Sequence, residues 1–190
     1  MNPRVYLLVA LTAAALGGCA STTPTLNVNY AEAQASRGPL SSVEPRRFDI
    51  AVNDKRPDIA RIGYMCNGLK TGDILSSRPV PDIVRDALVV ELQKNGHLLA
   101  KDGQELSLAV DVTEFWFDLN IGTVGMTLTV ADRRTGALLL TQRYQGTHWE
   151  RSVFYVGTCE GAMNAMNAAL ERMIRDLATD PKLVQALKAR

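Results

Sequence analysis

Two long stretches of the chain alternate between apolar and polar residues with period two. Leu106, Leu108, Val110 and Val112 stand against Ser107, Ala109, Asp111 and Thr113, and Val124, Met126, Leu128 and Val130 stand against Gly125, Thr127, Thr129 and Ala131. Successive side chains of a strand point to opposite faces, so each run predicts a strand with one dry and one wet face. That is the habit of an antiparallel sheet covered on one side only. Residues 48–53 (FDIAVN) repeat the alternation over a shorter span, and residues 97–100 read as another short strand. The run Asp132-Arg133-Arg134-Thr135-Gly136 has hairpin-turn chemistry and leads into a strand over 137–147.

Helical spacing appears twice at length. Pro81 and Asp82 open a helix that carries Ile83, Ala87, Val90 and either Leu88 or Leu92 near one face, with Gly96 placed as its C-terminal cap. From about residue 160 to 178, Ala162, Met166, Ala169, Leu170, Met173 and Leu177 form an apolar stripe. Asp180-Pro181 then pairs a capping residue with proline at the first helical position, predicting a short terminal helix through Leu183, Val184 and Leu187. Residues 54–79 form a connection too long to be structureless in a compact domain, so a small hairpin is expected there, 59–65 against 72–76. The expected fold is α+β: a mostly antiparallel sheet with two main helices packed on one face and a short C-terminal helix.

The first residues follow other rules. Arg4 precedes an apolar run of about a dozen residues, long enough for a signal-peptide core and too short for a permanent membrane span. Leu16-Gly17-Gly18-Cys19 resembles the lipobox of bacterial lipoproteins, where a thiol is required because its sulfur takes the diacylglycerol before cleavage. Residues 1–18 are therefore expected to be removed and Cys19 to be acylated. Several acyl chains hold a protein on a bilayer far more firmly than one. Ala20 rather than Asp follows the cysteine, which in enteric-type sorting favours the outer membrane. Residues 19–45, rich in Ala, Ser, Thr, Pro and Asn, read as the lipidated cysteine and a flexible linker, with the domain over 46–190. As a coil, 26 residues span on the order of 28 Å. The alternative is that residues 26–30 add an edge strand.

Composition narrows the function classes. The chain has 190 residues, enough for one ordinary domain with an appendage, and 21 basic residues nearly balance 20 acidic ones. Without a basic run, nucleic acid is not expected as a ligand. No nucleotide loop or Cys/His cluster appears, so no cofactor and no metal are expected.

With these elements in place, the chain resembles the YajG-type family of uncharacterised bacterial lipoproteins. The resemblance rests on the lipobox, the polar linker, Asp54-Lys55-Arg56 after the first strand and the Gly63 segment beyond it. The helix ending Leu92-Gln93-Lys94-Asn95-Gly96-His97 and the closing long helix, Asp180 and amphipathic tail also fit. It covers most of residues 47–188 and implies a fold and an envelope location without an established activity. The cysteine pair does not map onto a family pattern.

Among residues that could carry chemistry, Cys66 and Cys159 remain once Cys19 is acylated. In an oxidising compartment an even pair reads as a disulfide; two buried thiols or reactive thiols are the alternatives. Simple strand counting sets the starts of the first helix and of the last long helix at opposite ends of the sheet, a distance that an inserted hairpin around Cys66 or the 150–158 connector would have to bridge. His97 and His148 are the only histidines, and a Cys159–His148 nucleophilic pair would need a contact and an oxyanion hole that sequence does not show. Asp54 and Arg56 flank Lys55 at a strand end, either as a turn cap with an internal ion pair or as a polar partner-binding site. In Phe115-Trp116-Phe117 neighbours face opposite ways, so either the two phenylalanines or Trp116 must lie outside, and an exposed Trp116 would suit a partner or a bilayer. Phe154-Tyr155 poses the same question.

The expectation is a non-enzymatic envelope lipoprotein on the periplasmic face of the outer membrane, bound to the bilayer through Cys19 and to an unknown envelope protein. The alternative is an auxiliary lipoprotein of a lipid or solute transport machine, which would need an apolar groove between helices and sheet.

Overall fold

A computed structural model describes residues 23–30, 38–64, 72–118, 120–151 and 159–188. The elements follow in the order β1 (Thr25–Leu26), a 3-10 turn (Pro39–Ser42), β2 (Arg47–Asp54), β3 (Gly63–Tyr64), β4 (Asp73–Ser76), α1 (Val80–Lys94), β5 (Leu98–Leu99), β6 (Leu106–Asp118), β7 (Ile121–Asp132), β8 (Leu138–Trp149), α2 (Cys159–Thr179) and α3 (Pro181–Lys188).

Strand β6 is the spine of the sheet. One of its edges pairs antiparallel with β7, which pairs antiparallel with β8. Its other edge is shared by two partners in succession. From Leu106 to Val112 it runs parallel to β2, and at Phe117 it runs parallel to β3. The hairpin expected between 59–65 and 72–76 forms as β3 against β4, β1 joins β4 in parallel, and β5 lies parallel to the outer edge of β2. The sheet is therefore mixed, and the expectation of a mostly antiparallel sheet is corrected: β2–β6, β2–β5, β3–β6 and β1–β4 are all parallel pairs. The physical reason is the connection through α1. A helical crossover returns the chain in the direction it left, whereas period-two alternation reports which face is wet and nothing about strand direction. The α+β class itself holds.

All three helices lie on one face. Inward positions of β6 (Leu106, Leu108, Val110, Val112, Phe115, Phe117) and β7 (Val124, Met126, Leu128, Val130) are buried against the α2 stripe of Ala162, Ala165, Met166, Ala169, Leu170 and Met173. A bulge between Val112 and Glu114 shifts the alternation by one residue, so both phenylalanines turn inward and Trp116 turns outward. Helix α1 starts with proline in its first turn and stops at Asn95, where Gly96 takes a φ of 94°. Asp180 caps α3 by accepting the Lys182 N–H (2.8 Å), and its other oxygen accepts the Tyr144 hydroxyl of β8 (2.7 Å). That hydrogen bond ties the terminal helix to the sheet.

The flexible linker expected over 19–45 does not hold where the chain is described. Thr25–Leu26 is an edge strand, and Leu26, Val28, Leu40 and Val43 are buried. Polar contacts secure the same segments: the Tyr30 hydroxyl donates to Glu91 Oε2 (2.8 Å), and the Gly38 N–H donates to Asn95 Oδ1 (3.2 Å). Asn95 in turn donates to Glu91 Oε1 (3.0 Å), so the buried carboxylate is shared by two donors. The body thus begins near residue 23 rather than 46. Its small apolar residues, set among many polar ones, gave no period for sequence reading to find.

Helix α2 touches the sheet backbone at two glycines. A Cβ at Gly122 would stand 2.6 Å from the Ala165 carbonyl, and one at Gly146 would stand 2.0 Å from the Ala169 oxygen and 2.6 Å from the Met173 nitrogen. Because the obstacle is helix backbone, a methyl group there must push α2 off the sheet. Gly146→Ala is expected to cost about 1–3 kcal/mol or more, read as a lower urea midpoint with an unchanged slope, whereas Gly72→Ala, which meets nothing, should leave the midpoint in place.

Candidate functional site

The sheet changes partners where β2 ends. Lys55 N–H still bonds the Val112 carbonyl (2.9 Å), and Phe117 N–H already bonds the Ile62 carbonyl (2.8 Å). Between those points one edge of β6 has no strand beside it, and Arg56 occupies the gap. Its Nε and Nη2 grip the Asp54 carboxylate in a fork (2.9 and 2.7 Å). Nη1 donates to the carbonyls of Arg61 (3.0 Å) and Phe115 (3.5 Å), and Nη2 also reaches the Ile59 carbonyl (3.2 Å). Arg56 is only 8% exposed, and burial of a guanidinium is tolerable because its planar fork is saturated. The two residues expected at a polar site are thus brought together, and their polar groups are engaged within the fold.

An open cavity of about 400 Å³ lies against this junction on the uncovered face of the sheet, lined by Arg56, Pro57, Asp58, Thr113, Glu114, Phe115, Trp116 and Thr123. A second, of about 370 Å³, lies across Arg56 among Asp54, Ile62, Ser76, Arg78 and Val80, so the arginine walls both. Beside the first cavity, Trp116 packs edge-on against Tyr64 with ring centroids 5.3 Å apart. Arg61 lies 4.8 Å over the Tyr64 ring, touches its hydroxyl, and pairs with Asp58 (2.5 Å) and Asp73 (3.1 Å). The Arg61 hydrogen bond holds the Asp58 carboxyl below the usual carboxylate range.

The other candidates are dispersed. His97 is buried under the 38–46 segment, with Nδ1 accepting the Arg46 N–H (3.2 Å), and burial lowers its pKa from the ordinary value. His148 lies at the far end of β8 and pairs with Glu150 (3.5 Å). Cys159 opens α2 and is disulfide-bonded, so its sulfur is not a free thiolate. Cys19, Cys66 and Phe154-Tyr155 lie outside the described residues. Among the described residues no group of three His, Cys, Asp or Glu side chains converges as a metal site, and no helix is long and apolar enough to cross a membrane. The contact of α2 backbone with Gly122 and Gly146 leaves no room for an acyl chain between that helix and β7–β8.

Sequence reasoning missed Tyr64, Ile121 and Trp149. They share the outer face and one end of the sheet with Trp116. The available signal was that each apolar residue stands at the boundary of a predicted strand, where no core needs it.

No protein-family model matches the sequence, nor does any curated protein. The fold does recur in solved structures. Protein XCC0632 from Xanthomonas campestris, a DUF330 protein, superposes with a TM-score of 0.56 at 13% identity, over 86% of this chain and 95% of that one. An uncharacterized protein gives 0.54 at 14% identity, over 82% and 97%. The hypothetical protein CT253 from Chlamydia trachomatis gives 0.52 at 10%, over 77% and 100%. At such identities the likeness is one of fold.

Two outcomes follow from the site's geometry. Arg56→Met leaves the Asp54 carboxylate and several carbonyls without a donor. The loss expected in chemical denaturation is about 2–3 kcal/mol, below the ~3–5 of a fully buried pair because Asp54 keeps some contact with water. Replacing Asp54 by Ala in the same chain should restore part of that loss. For His97, a folded-state pKa below the unfolded value of about 6.5 means the unfolded chain binds more protons once the pH drops. The stability held by the neutral ring is complete above that value and is lost as the pH falls through and below it. The melting temperature of the wild type should therefore drop more steeply between neutral and mildly acidic pH than that of His97→Gln.

Proposed function

We propose that the mature chain is a non-enzymatic lipoprotein, acylated at Cys19 and held at the periplasmic face of the outer membrane, where it acts as a binding or assembly partner of another envelope protein. The observation that carries this reading is Leu16-Gly17-Gly18-Cys19 at the end of a short apolar run. The resemblance to YajG-type lipoproteins agrees with it. A disulfide at Cys159 also suits a periplasmic address, since cytosolic thiols are kept reduced.

With Cys19 carrying lipid, Cys66 is the remaining cysteine able to pair with Cys159. Strand positions support that pairing. Tyr64, two residues before Cys66, stands beside the end of β6, and the first turns of α2 lie under Gly122 at the start of β7. Tyr64 and the start of α2 thus lie at the same end of the sheet, so the hairpin at β3 supplies the bridge that strand counting required.

The partner-binding surface in this reading is the uncovered sheet face around Trp116, next to the cavity walled by Arg56. An open, partly aromatic hollow on a face with no described helix over it offers a partner apolar area to bury. Acylation is the premise to test first. Cells fed radiolabelled palmitate should label the wild-type chain and not Cys19→Ser, and the wild type should sediment with outer membranes. Equal labelling of both proteins, or a soluble product that still carries Met1, would sink the reading.

A further inference from the structure

The direction in which the chain leaves the body toward Cys19 is fixed by strand pairing. β1 is parallel to β4 (Thr25 opposite Leu75), β4 is antiparallel to β3 (Gly63 opposite Ile74), and β3 is parallel to β6 (Gly63 opposite Phe117). Moving along β6 toward Asp118 therefore means moving backward along β1, from Leu26 through Thr25 to Pro24. Pro24 is already fixed, because its carbonyl accepts the Leu75 N–H (3.0 Å). Only five residue steps separate it from Cys19, and whatever path they take they reach at most ~18 Å.

That end of the sheet carries the aromatic corner. Gly122 and Gly146 face α2, so by alternation Ile121 and Trp149 face outward, and they are direct cross-strand partners. Trp116, diagonal to Ile121, faces the same way and carries Tyr64 on its edge. Trp149 is 58% exposed, Ile121 44% and Tyr64 37%, although each is a large apolar or amphipathic side chain. Leucines are exposed at the opposite end too, but Leu98 and Leu99 lie beyond β2 and Leu138 lies on β8. Three strands separate them, a gap of roughly 19 Å at ordinary strand spacing, so they form no single patch.

We propose that the sheet end bearing Tyr64, Ile121 and Trp149 rests in the headgroup layer of the bilayer to which Cys19 tethers the chain, an inference that rests on the acylation proposed above. Indole and phenol rings favour that layer because one part of each is apolar and the other makes hydrogen bonds. Nearby charges are of both signs, including Arg61, Asp73, Asp118 and Glu150, so the attraction is interfacial rather than a response to anionic lipid.

Trp116 and Trp149 are the chain's two tryptophans, which makes indole fluorescence a direct reporter. Lipidated protein, purified from membranes, is reconstituted into phosphatidylcholine vesicles with or without bromine on the acyl chains near the headgroup. The protein should float with both, and its emission should be about two-fold lower in the brominated vesicles, as for an indole in the interface. Trp116→Phe should keep that loss, Trp149→Phe should abolish it, and Ile121→Asp should recover most of the emission. Protein that floats with unquenched Trp149 overturns the docking and leaves the anchor standing. Protein that fails to float, with no acyl group on Cys19, overturns the anchor and the docking with it.

Discussion

A thirteen-residue strand beside an eight-residue strand leaves backbone groups with nothing to bond, and this mismatch governs how the protein is built. β6 outlasts β2, and a buried strand edge cannot stay unpaired at a cost of a few kcal/mol per group. The chain meets the demand in two ways at once. A second parallel strand, β3, takes over at Phe117, and the Arg56 guanidinium spans the interval between the two partners. The arginine's charge is balanced by Asp54 on the strand that is ending, so β2 contributes both the last rung of its ladder and the counterion for the plug that follows. The strands on the far side of that junction (β3, β4 and β1) take their position from it. A lysine could not substitute, since a point charge on a flexible stem does not reach Asp54, Ile59, Arg61 and Phe115 together.

On the other face the decisive constraint is proximity. Gly122 and Gly146 let the backbone of α2 lie directly on β7 and β8, and the helix fills its side of the sheet with alanine and methionine. At those two glycines the helix backbone lies too close to the sheet for a ligand to pass between them. Open surface is consequently found where no described helix lies, on the threonine-rich outer face and at the ends of the strands. The cavity beside Trp116 belongs to that outer face, and its walls are ordered by the same Arg56 junction that completes the sheet.

Legibility in the sequence followed the physics of each element. Strands β6, β7 and β8, the two long helices and the Asp180 cap all announce themselves, because period, caps and turn residues are local properties. Strand direction is not local. β2 looks the same whether β6 runs with it or against it, and only the crossover through α1 decides. The packed segments at 23–30 and 38–45 were legible only as an edge-strand alternative at 26–30: Leu26, Val28, Leu40 and Val43 are single apolar residues among polar ones, and the neighbouring Tyr30 and Gly38 are tied to Glu91 and Asn95 far along the chain. Asp54 and Arg56 were visible as a pair, but the gap they fill exists only once β6 has two partners. Ile121 and Trp149 stood in plain view at strand ends, and their meaning depends on which end of the sheet the chain enters.

On the proposed docking, the same geometry would set an orientation. If Cys19 is acylated as proposed, five residue steps keep the edge at Pro24 within about 18 Å of the anchored cysteine. With that end at the bilayer, β6 stands away from the membrane, and its thirteen residues span roughly 43 Å at ordinary strand rise. In that pose the outer face would look sideways along the membrane surface, and the cavity near Trp116 would lie within reach of a neighbour anchored in the same leaflet. The opposite end, with the Asp132–Gly136 turn and β5, points toward the aqueous space. A long tether would have given this face no preferred direction. Packing residues 23–30 onto the body shortens the tether, and on an acylated Cys19 a short tether would restrict how the body turns on its anchor.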